Sequence, residues 1–188
     1  DQNWSTGANW TNATAGTSGT APGAADDVRF FESIATGPTV DGAFAGTIGS
    51  LWFNATTTDY GPSIATALSI TGTNGLKLGT NAATAQSRTV TVSGNILNAS
   101  NTTAVLSVSQ GSAAAGTIKA TLNLAGLNLF NADLNAIGVG SGNYPSIAGD
   151  RYSGDWYLAR TNLVVLRYSQ PLASYAGGTV ASAVDMGH

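Results

Sequence analysis

The sequence has no cysteine and a single histidine, which is the last of its 188 residues. Without cysteine or a second histidine, a His/Cys metal cage and a cysteine nucleophile are excluded, and a terminal histidine is a poor member of a Ser-His-Asp triad. Disulfide bonds are excluded as well. No apolar run reaches the roughly 18 residues that a membrane helix needs, so we expect no membrane insertion of this segment.

Charge is also scarce, at 9% of the residues against about 25% in an ordinary globular domain. Seven Lys and Arg against ten Asp and Glu give a net charge of −3. The basic residues are scattered singly, so no patch that could neutralise phosphates is expected, and neither is nucleic-acid binding. The 43% of hydrophobic residues predict a packed core, and the length fits one domain.

The apolar residues that are present come as short alternating pairs, such as Leu76/Leu78, Val90/Val92 and Leu106/Val108. A period of two over three to five residues indicates half-buried strands. Clusters of Gly, Asn and Ser separate the pairs and supply tight turns. Ala-rich pieces are too short to start a helix, so the sequence predicts an all-β protein.

Two all-β architectures fit this pattern. A β-solenoid has very short strands that each send one or two aliphatic side chains inward, with small polar residues outside. An antiparallel β-sandwich has longer strands with more charge on the outer faces. The pattern favours the solenoid, with about 20 to 25 residues per coil and ladders of Thr and Asn on the stacked coils; the sandwich stays as the alternative.

The N-terminal segment differs from the rest. Residues 1–44 hold Trp4, Trp10, Phe30 and Phe31, and the first 50 residues hold five of the ten acids. Because the first coil of a solenoid exposes a sheet edge and an open core, we interpret residues 1–44 as an aromatic cap with the first strands. Residues 45–188 would then form the coils of a single domain, with an aromatic loop at about 141–157.

Five stretches of the sequence share a pattern with a known family: residues 3–10 (NWSTGANW), 21–30 (APGAADDVRF), 36–40 (TGPTV), 47–54 (TIGSLWFN) and 121–134 (TLNLAGLNLFNADL). They resemble autotransporter-associated β-strand repeat proteins, which are large exported bacterial polypeptides. The resemblance implies a secreted or surface-displayed, right-handed parallel β-helix, and it carries no catalytic residue.

A carbohydrate-binding patch is predicted in the expected loop, where aromatic and charged residues alternate. Flat aromatic faces stack on the C–H face of a sugar, and Asp or Arg bind its hydroxyl groups. The same aromatic residues could instead fill a small core beneath the loop. The candidate residues are Tyr144, Tyr152, Trp156, Tyr157, Asp150, Arg151 and Asp155.

Catalysis by a polysaccharide lyase or glycoside hydrolase would need paired carboxylates or a basic residue beside acids. Asp150, Arg151 and Asp155, with Asp133 one or two coils away, are the candidates. We interpret Asp150 and Asp155 instead as turn formers after glycine. The pair Asp26-Asp27 could ligate calcium, but we expect it to begin the first strand or bind amides of the cap, and we expect neither metal nor cofactor.

The sequence therefore predicts a non-catalytic, extracellular bacterial β-solenoid that acts as a structural, adhesive or filament-forming element of a cell surface or matrix. The alternative is a carbohydrate-binding module, and the third reading is a polysaccharide-cleaving enzyme. The C-terminal strand pattern lacks a bulky closing element, so the expected partners are other copies stacked end to end, or a polysaccharide.

Overall fold

The computed structural model describes residues 1–32, 37–54, 58–80, 86–112, 118–140, 151–167 and 184–185. Strands hold 60% of them, and the only regular helix among them is a 3₁₀ turn at Gly7–Asn9. The predicted all-β class is confirmed. In this part of the chain, no helix is long and apolar enough to cross a membrane.

The described residues form fourteen strands. They are β1 (Thr11–Asn12), β2 (Thr17–Ser18), β3 (Asp27–Phe30), β4 (Thr39–Val40), β5 (Thr47–Ile48), β6 (Ser50–Phe53), β7 (Ser63–Ile70), β8 (Leu76–Leu78), β9 (Arg88–Val108), β10 (Gln110–Ser112), β11 (Ala120–Val139), β12 (Arg151–Tyr157), β13 (Thr161–Leu166) and β14 (Val184–Asp185).

Parallel pairing dominates the main sheet. Ten of the twelve strand pairings between described residues are parallel, and only β1–β2 and β10–β12 are antiparallel. The alternative of an antiparallel sandwich is therefore wrong. Parallel neighbours need a long crossover rather than a tight hairpin, which is why strands far apart in sequence pair here.

The pairing stacks apolar residues in columns. Val28 pairs with Leu51, Leu51 with Leu76, Leu76 with Leu106, and Leu106 with Ile137. All five side chains are at most 4% exposed. A second column holds Phe30, Phe53, Leu78, Val108 and Val139. The alternating pairs of the sequence thus face one continuous core.

Successive passes of the chain differ in length. Along the first column the spacing is 51 − 28 = 23 residues, then 76 − 51 = 25, then 106 − 76 = 30 and 137 − 106 = 31. The first two values fall in the expected range of 20 to 25, and the later two exceed it. The later passes contain β9 and β11, which are 21 and 20 residues long.

These two long strands also correct the expectation of very short strands separated by turns. Gly94-Asn95 is one of the clusters of Gly and Asn from which tight turns are expected, yet both residues lie inside β9. Gly94 has φ = 103°, a backbone conformation that favours glycine. The pairing of β9 continues past Gly94, with a register shift in β7 between Ile64 and Ala67 directly opposite it, so the corner is an irregularity within the strand.

The predicted ladders of like polar residues are present on the outside. Asn128 donates from Nδ2 to Oδ1 of Asn95 at 3.0 Å, and Asn131 donates to Asn98 at 3.3 Å. Asn98 in turn donates to the hydroxyl of Ser69 at 3.2 Å. Each amide satisfies the next one along the stack, so the outer surface needs no charge to hold the passes together.

An aromatic cluster within residues 1–44 includes Trp4, Trp10 and Phe30 of the predicted cap, whereas Phe31 is 51% exposed and lies outside it. Trp4 is 1% exposed, and its ring centroid lies 5.1 Å from that of Trp10, 5.3 Å from Phe44 and 6.0 Å from Phe30. The indole Nε1 of Trp10 donates to the backbone oxygen of Trp4 at 2.9 Å. The cluster packs on the first apolar residues of the core.

The expected aromatic loop at 141–157 is only partly testable. Residues 141–150 lie outside the described residues. From Arg151 to Tyr157 the prediction of a loop is wrong, because these residues form β12. Gly154, Asp155, Trp156 and Tyr157 pair in parallel with the start of β11, so the glycine and acid that suggested a turn are strand residues.

The substitution Gly94→Ala, which adds one methyl group, tests the corner in β9. We expect Gly94→Ala to lower the free energy of unfolding by about 2–5 kcal/mol. The change adds strain at positive φ, about 1–2 kcal/mol, to overpacking of about 1–3 kcal/mol, because the new Cβ would collide with the backbone of Ile64. Urea denaturation followed by circular dichroism measures it.

Gly16→Ala is the matched control. Gly16 also has a positive φ, of 65°, but nothing lies within 4 Å of an added Cβ. Its cost should be about 1 kcal/mol, from strain alone. Equal costs at the two glycines would contradict the close approach of β9 to the preceding pass.

Candidate functional site

The structure describes the side chains of only three of the seven residues in the predicted carbohydrate patch. Tyr144 and Asp150 lie outside the described residues, and of Arg151 and Tyr152 only the backbone belongs to them. Trp156, Tyr157 and Asp155 are described with their side chains. The patch as a whole therefore stays a prediction, and the three described side chains show how its core is arranged.

Trp156 and Tyr157 point to opposite faces of β12, as neighbours in a strand do. Trp156 is half-buried against the core, and its ring meets that of Phe130 edge to face with 5.9 Å between the centroids. Its indole Nε1 has no hydrogen-bond partner among the described residues. Tyr157 is 54% exposed, so these two rings do not form one stacking platform.

Asp155 is held by a cation of the preceding pass rather than by its own backbone. Its carboxylate forms an ion pair with Nζ of Lys119, and this hydrogen bond is the main cause that raises the pKa of Lys119. The prediction that Asp155 forms a turn is wrong, because the residue lies within β12. Its side chain is on the same outer face of the strand as that of Tyr157.

Asp133, the other catalytic candidate, is equally engaged. It lies on β11 and accepts two hydrogen bonds from Arg167, from Nε at 2.7 Å and from Nη2 at 2.9 Å. This forked contact holds the pKa of Asp133 below its ordinary value. Asp133 lies on the part of β11 that pairs with β13, whereas Asp155 pairs with Thr121 at the start of β11. The two acids are therefore not brought together.

The Asp26-Asp27 pair serves the backbone and neighbouring passes. Asp27 begins β3, as predicted, and it accepts hydrogen bonds from Ser50 at 2.5 Å and from Asn74 at 3.2 Å. Asp26 accepts from the amide of Gly23 at 2.7 Å. Within the part of the chain that the structure describes, no three His, Cys, Asp or Glu residues cluster in a way that could hold a metal ion.

The most distinctive surface feature is a row of three residues on the outside of the first passes. Arg29 pairs with Trp52, and Trp52 pairs with Lys77. The guanidinium carbon of Arg29 lies 5.1 Å from the centroid of the Trp52 ring, and Nζ of Lys77 lies 5.9 Å from it. Both distances are within the range of cation–π attraction. We call these three residues the Arg-Trp-Lys row.

The indole of Trp52 is fixed in this row. Its Nε1 donates to the backbone oxygen of Gly79 at 3.1 Å, while the inward neighbours Leu51 and Phe53 are buried in the core. Trp52 itself is half-buried and Arg29 is exposed. The ring is thus anchored on one side by a hydrogen bond and presented on the outer face between two cations.

Sequence reasoning did not single out this row, although the signal was present. Trp52 follows Arg29 by 23 residues, and Lys77 follows Trp52 by 25, which is the spacing expected for one coil. Each of the three also sits between two apolar residues in the sequence, which places them on the outer face of a strand. Stacking the predicted strands at that spacing would have brought the three together.

The interior offers little space for a ligand in the part that is described. An apolar space of about 10 Å³ lies between core side chains that include Trp4, Leu51 and Ile64. This is room for about one water molecule, and the lining offers no polar partner to hold it.

No protein-family model, no curated protein and no solved structure matches this chain. The resemblance to autotransporter-associated repeats thus rests on the residues quoted above.

The contact between Asp133 and Arg167 should make the thermal stability of the protein depend on pH in the acidic range. Because the pKa of Asp133 is lowered in the folded protein relative to about 3.9 in an unfolded chain, the contact stabilises the fold above pH 4 and is lost as the pH falls through the lower, folded value. We expect Asp133→Asn to show a smaller fall in Tm between pH 5 and pH 2 than the wild type, measured by thermal unfolding.

Asn131→Ala is the control, because it changes an uncharged residue of the same strand. Its Tm should follow the pH profile of the wild type, displaced by a constant amount. If Asp133→Asn and the wild type lose the same Tm on acidification, the contact does not act in solution.

Proposed function

We propose that this chain is a right-handed parallel β-solenoid with an N-terminal aromatic cap, and that it serves as a non-catalytic structural or adhesive element of a bacterial cell surface or matrix. The parallel register supports the solenoid, since the same columns recur in passes 23 to 31 residues apart. The right-handed coil and the exported, bacterial setting follow from the resemblance to autotransporter-associated repeats.

One observation carries the structural role: the described acids are used to hold the fold together. Asp59 pairs with Arg88 at 3.5 Å, Asp133 with Arg167, and Asp155 with Lys119, and each pair joins two passes of the chain. Asp41 accepts from the amide of Ser5 at 3.0 Å, which lowers its pKa. Carboxylates bound in this way tie coils to each other, as a load-resisting fibre requires.

The exposed apolar residues of β13 favour association between copies. The outward row Thr47, Ser69, Asn98 and Asn131 is polar in four passes and becomes apolar at Leu163, which is 57% exposed. Beside it, Val165 takes the place that Asp133 and Ser100 hold in earlier passes, and it is 47% exposed.

The strand itself also favours a partner. β13 pairs with β11 on one side, and no strand pairs with its other side within the described residues. An apolar edge strand without charge is a template for pairing with another chain. Because the aromatic cluster covers the N-terminal end, we propose that copies join through their β13 ends, as a two-fold pair that is its own complement.

Engineered cysteines test the stack, and the chain has no native cysteine to interfere. Ser69 and Asn98 are register partners in adjacent passes, so their Cα atoms are about 5 Å apart, within the reach of a disulfide. We expect Ser69→Cys/Asn98→Cys to oxidise to an intramolecular disulfide, measured by mobility on a non-reducing gel and by mass spectrometry.

Ser69→Cys/Asn131→Cys is the control for this cross-link. Asn131 lies one pass further along the same row, about 10 Å away, which is beyond the roughly 7 Å limit of a disulfide. Equal cross-linking of both pairs, or of neither, would overturn the proposed stacking of coils.

Self-association is tested by light scattering after size exclusion at increasing protein concentration. We expect the wild type to dimerise and Leu163→Thr/Val165→Thr to stay monomeric, with at least a tenfold higher dissociation constant. Asn98→Thr/Ser100→Thr changes the same two rows in an earlier pass and should dimerise like the wild type. A wild type that remains monomeric at millimolar concentration would contradict association through β13.

The proposed absence of catalytic activity is tested by incubating the protein with polysaccharides. Incubation with neutral and acidic polysaccharides should leave the number of reducing ends unchanged. If sugar is released and this release disappears in Asp155→Ala, the protein is a polysaccharide-cleaving enzyme and the structural proposal is wrong. If a polysaccharide retains the protein and this retention disappears in Trp156→Ala, the carbohydrate-binding module predicted around Tyr157 is favoured.

A further inference from the structure

The Arg-Trp-Lys row combines charge and an aromatic face in a protein that has little of either. Three of the other four described cationic side chains, Arg88, Lys119 and Arg167, are neutralised by a carboxylate of a neighbouring pass, and the fourth, Arg160, donates to Asn128. Arg29 and Lys77 form no ion pair and no side-chain hydrogen bond with another described residue. Their charges are therefore available to a ligand at the surface.

The surroundings of the row limit what that ligand can be. Asp27 lies two residues before Arg29 on the same face of β3, and Glu32 lies three residues after it. Asp27 is bound by Ser50 and Asn74, and Glu32 accepts from Thr58 at 2.8 Å. With acids this close, the field is mixed in sign, and Arg29 and Lys77 are two separate contact points rather than a basic patch of the kind that neutralises successive phosphates.

The two cations match separate anionic groups on one extended ligand. Arg29 and Lys77 belong to passes on either side of Trp52, so their backbones lie about 10 Å apart. A guanidinium binds a carboxylate through two parallel hydrogen bonds, and an ammonium acts as a point charge. Because Arg29 and Lys77 lie over the indole of Trp52, its outward edge is the part that offers apolar contact to a sugar ring.

We propose that the Arg-Trp-Lys row binds an acidic polysaccharide whose pyranose rings carry carboxylates, that is, a uronic-acid polymer. Arg29 and Lys77 bind carboxylates of the polymer, and Trp52 packs against a ring between them. The hydrogen bond from Trp52 to Gly79 sets the angle of the indole before the ligand arrives, which reduces the ordering that binding requires. The site is independent of the proposed coupling of copies through β13.

Polygalacturonate is the probe, with uncharged dextran as its neutral counterpart, and isothermal titration calorimetry or affinity electrophoresis gives the dissociation constant. We expect the wild type to bind polygalacturonate and not dextran, with binding that weakens as salt is added. Arg29→Gln/Lys77→Gln should raise the dissociation constant at least tenfold. Trp52→Phe should raise it about threefold, because it keeps a ring but removes the larger aromatic face and the anchoring hydrogen bond.

Lys119→Gln/Arg160→Gln is the matched control. It also removes one lysine and one arginine charge, but from other parts of the surface, where Lys119 contacts Asp155 and Arg160 contacts Asn128. Its dissociation constant should stay within a factor of two of the wild type. Circular dichroism and the thermal midpoint show that every variant remains folded.

Three results would overturn the proposal. The wild type could fail to bind polygalacturonate, the two double variants could lose affinity equally, or single-stranded oligodeoxythymidylate could bind tighter than polygalacturonate. None of these results bears on the disulfide or light-scattering experiments, so the row and the structural role can fail separately.

Discussion

The whole structure depends on parallel backbone pairing between passes of the chain that are 23 to 31 residues apart. Once the register is set, every side chain has a fixed neighbour above and below it. A slip by one residue would turn each inward row outward, so the columns of Leu, Val, Ile and Phe hold the register as firmly as the hydrogen bonds do. Burial of these columns supplies the main free energy of folding.

The same register governs the polar surface. Asn95 and Asn128 bond to each other because they occupy equivalent places in adjacent passes, and Asp133 meets Arg167 for the same reason. Exposed ion pairs stabilise a fold only slightly, but here each one connects segments that the chain visits 29 to 36 residues apart. A surface with few charges can therefore remain specific, because amides and hydroxyls replace ions as the contacts between passes.

The two ends of the sheet differ in a way that matters for assembly. Near the N-terminal end, Trp4 is buried among other aromatic rings. On β13, Val164 is 38% exposed although its register partner Ala132 is 2% exposed. An apolar pair of the sequence, Val164 with Leu166, thus lies partly outside the core because no described strand covers its far side.

The sequence alone determined the all-β class, the inward residues, the position of the aromatic cluster and the ladders of asparagine, because period-two alternation and small polar spacers are local properties. It also placed Asp27 at the start of a strand. Tertiary structure decided what local pattern cannot: that the strands pair in parallel, that β12 replaces a loop, and that Asp155 faces Lys119 rather than its own backbone. The Arg-Trp-Lys row belongs to this second group, since its three residues become neighbours only when the lengths of two successive passes are known.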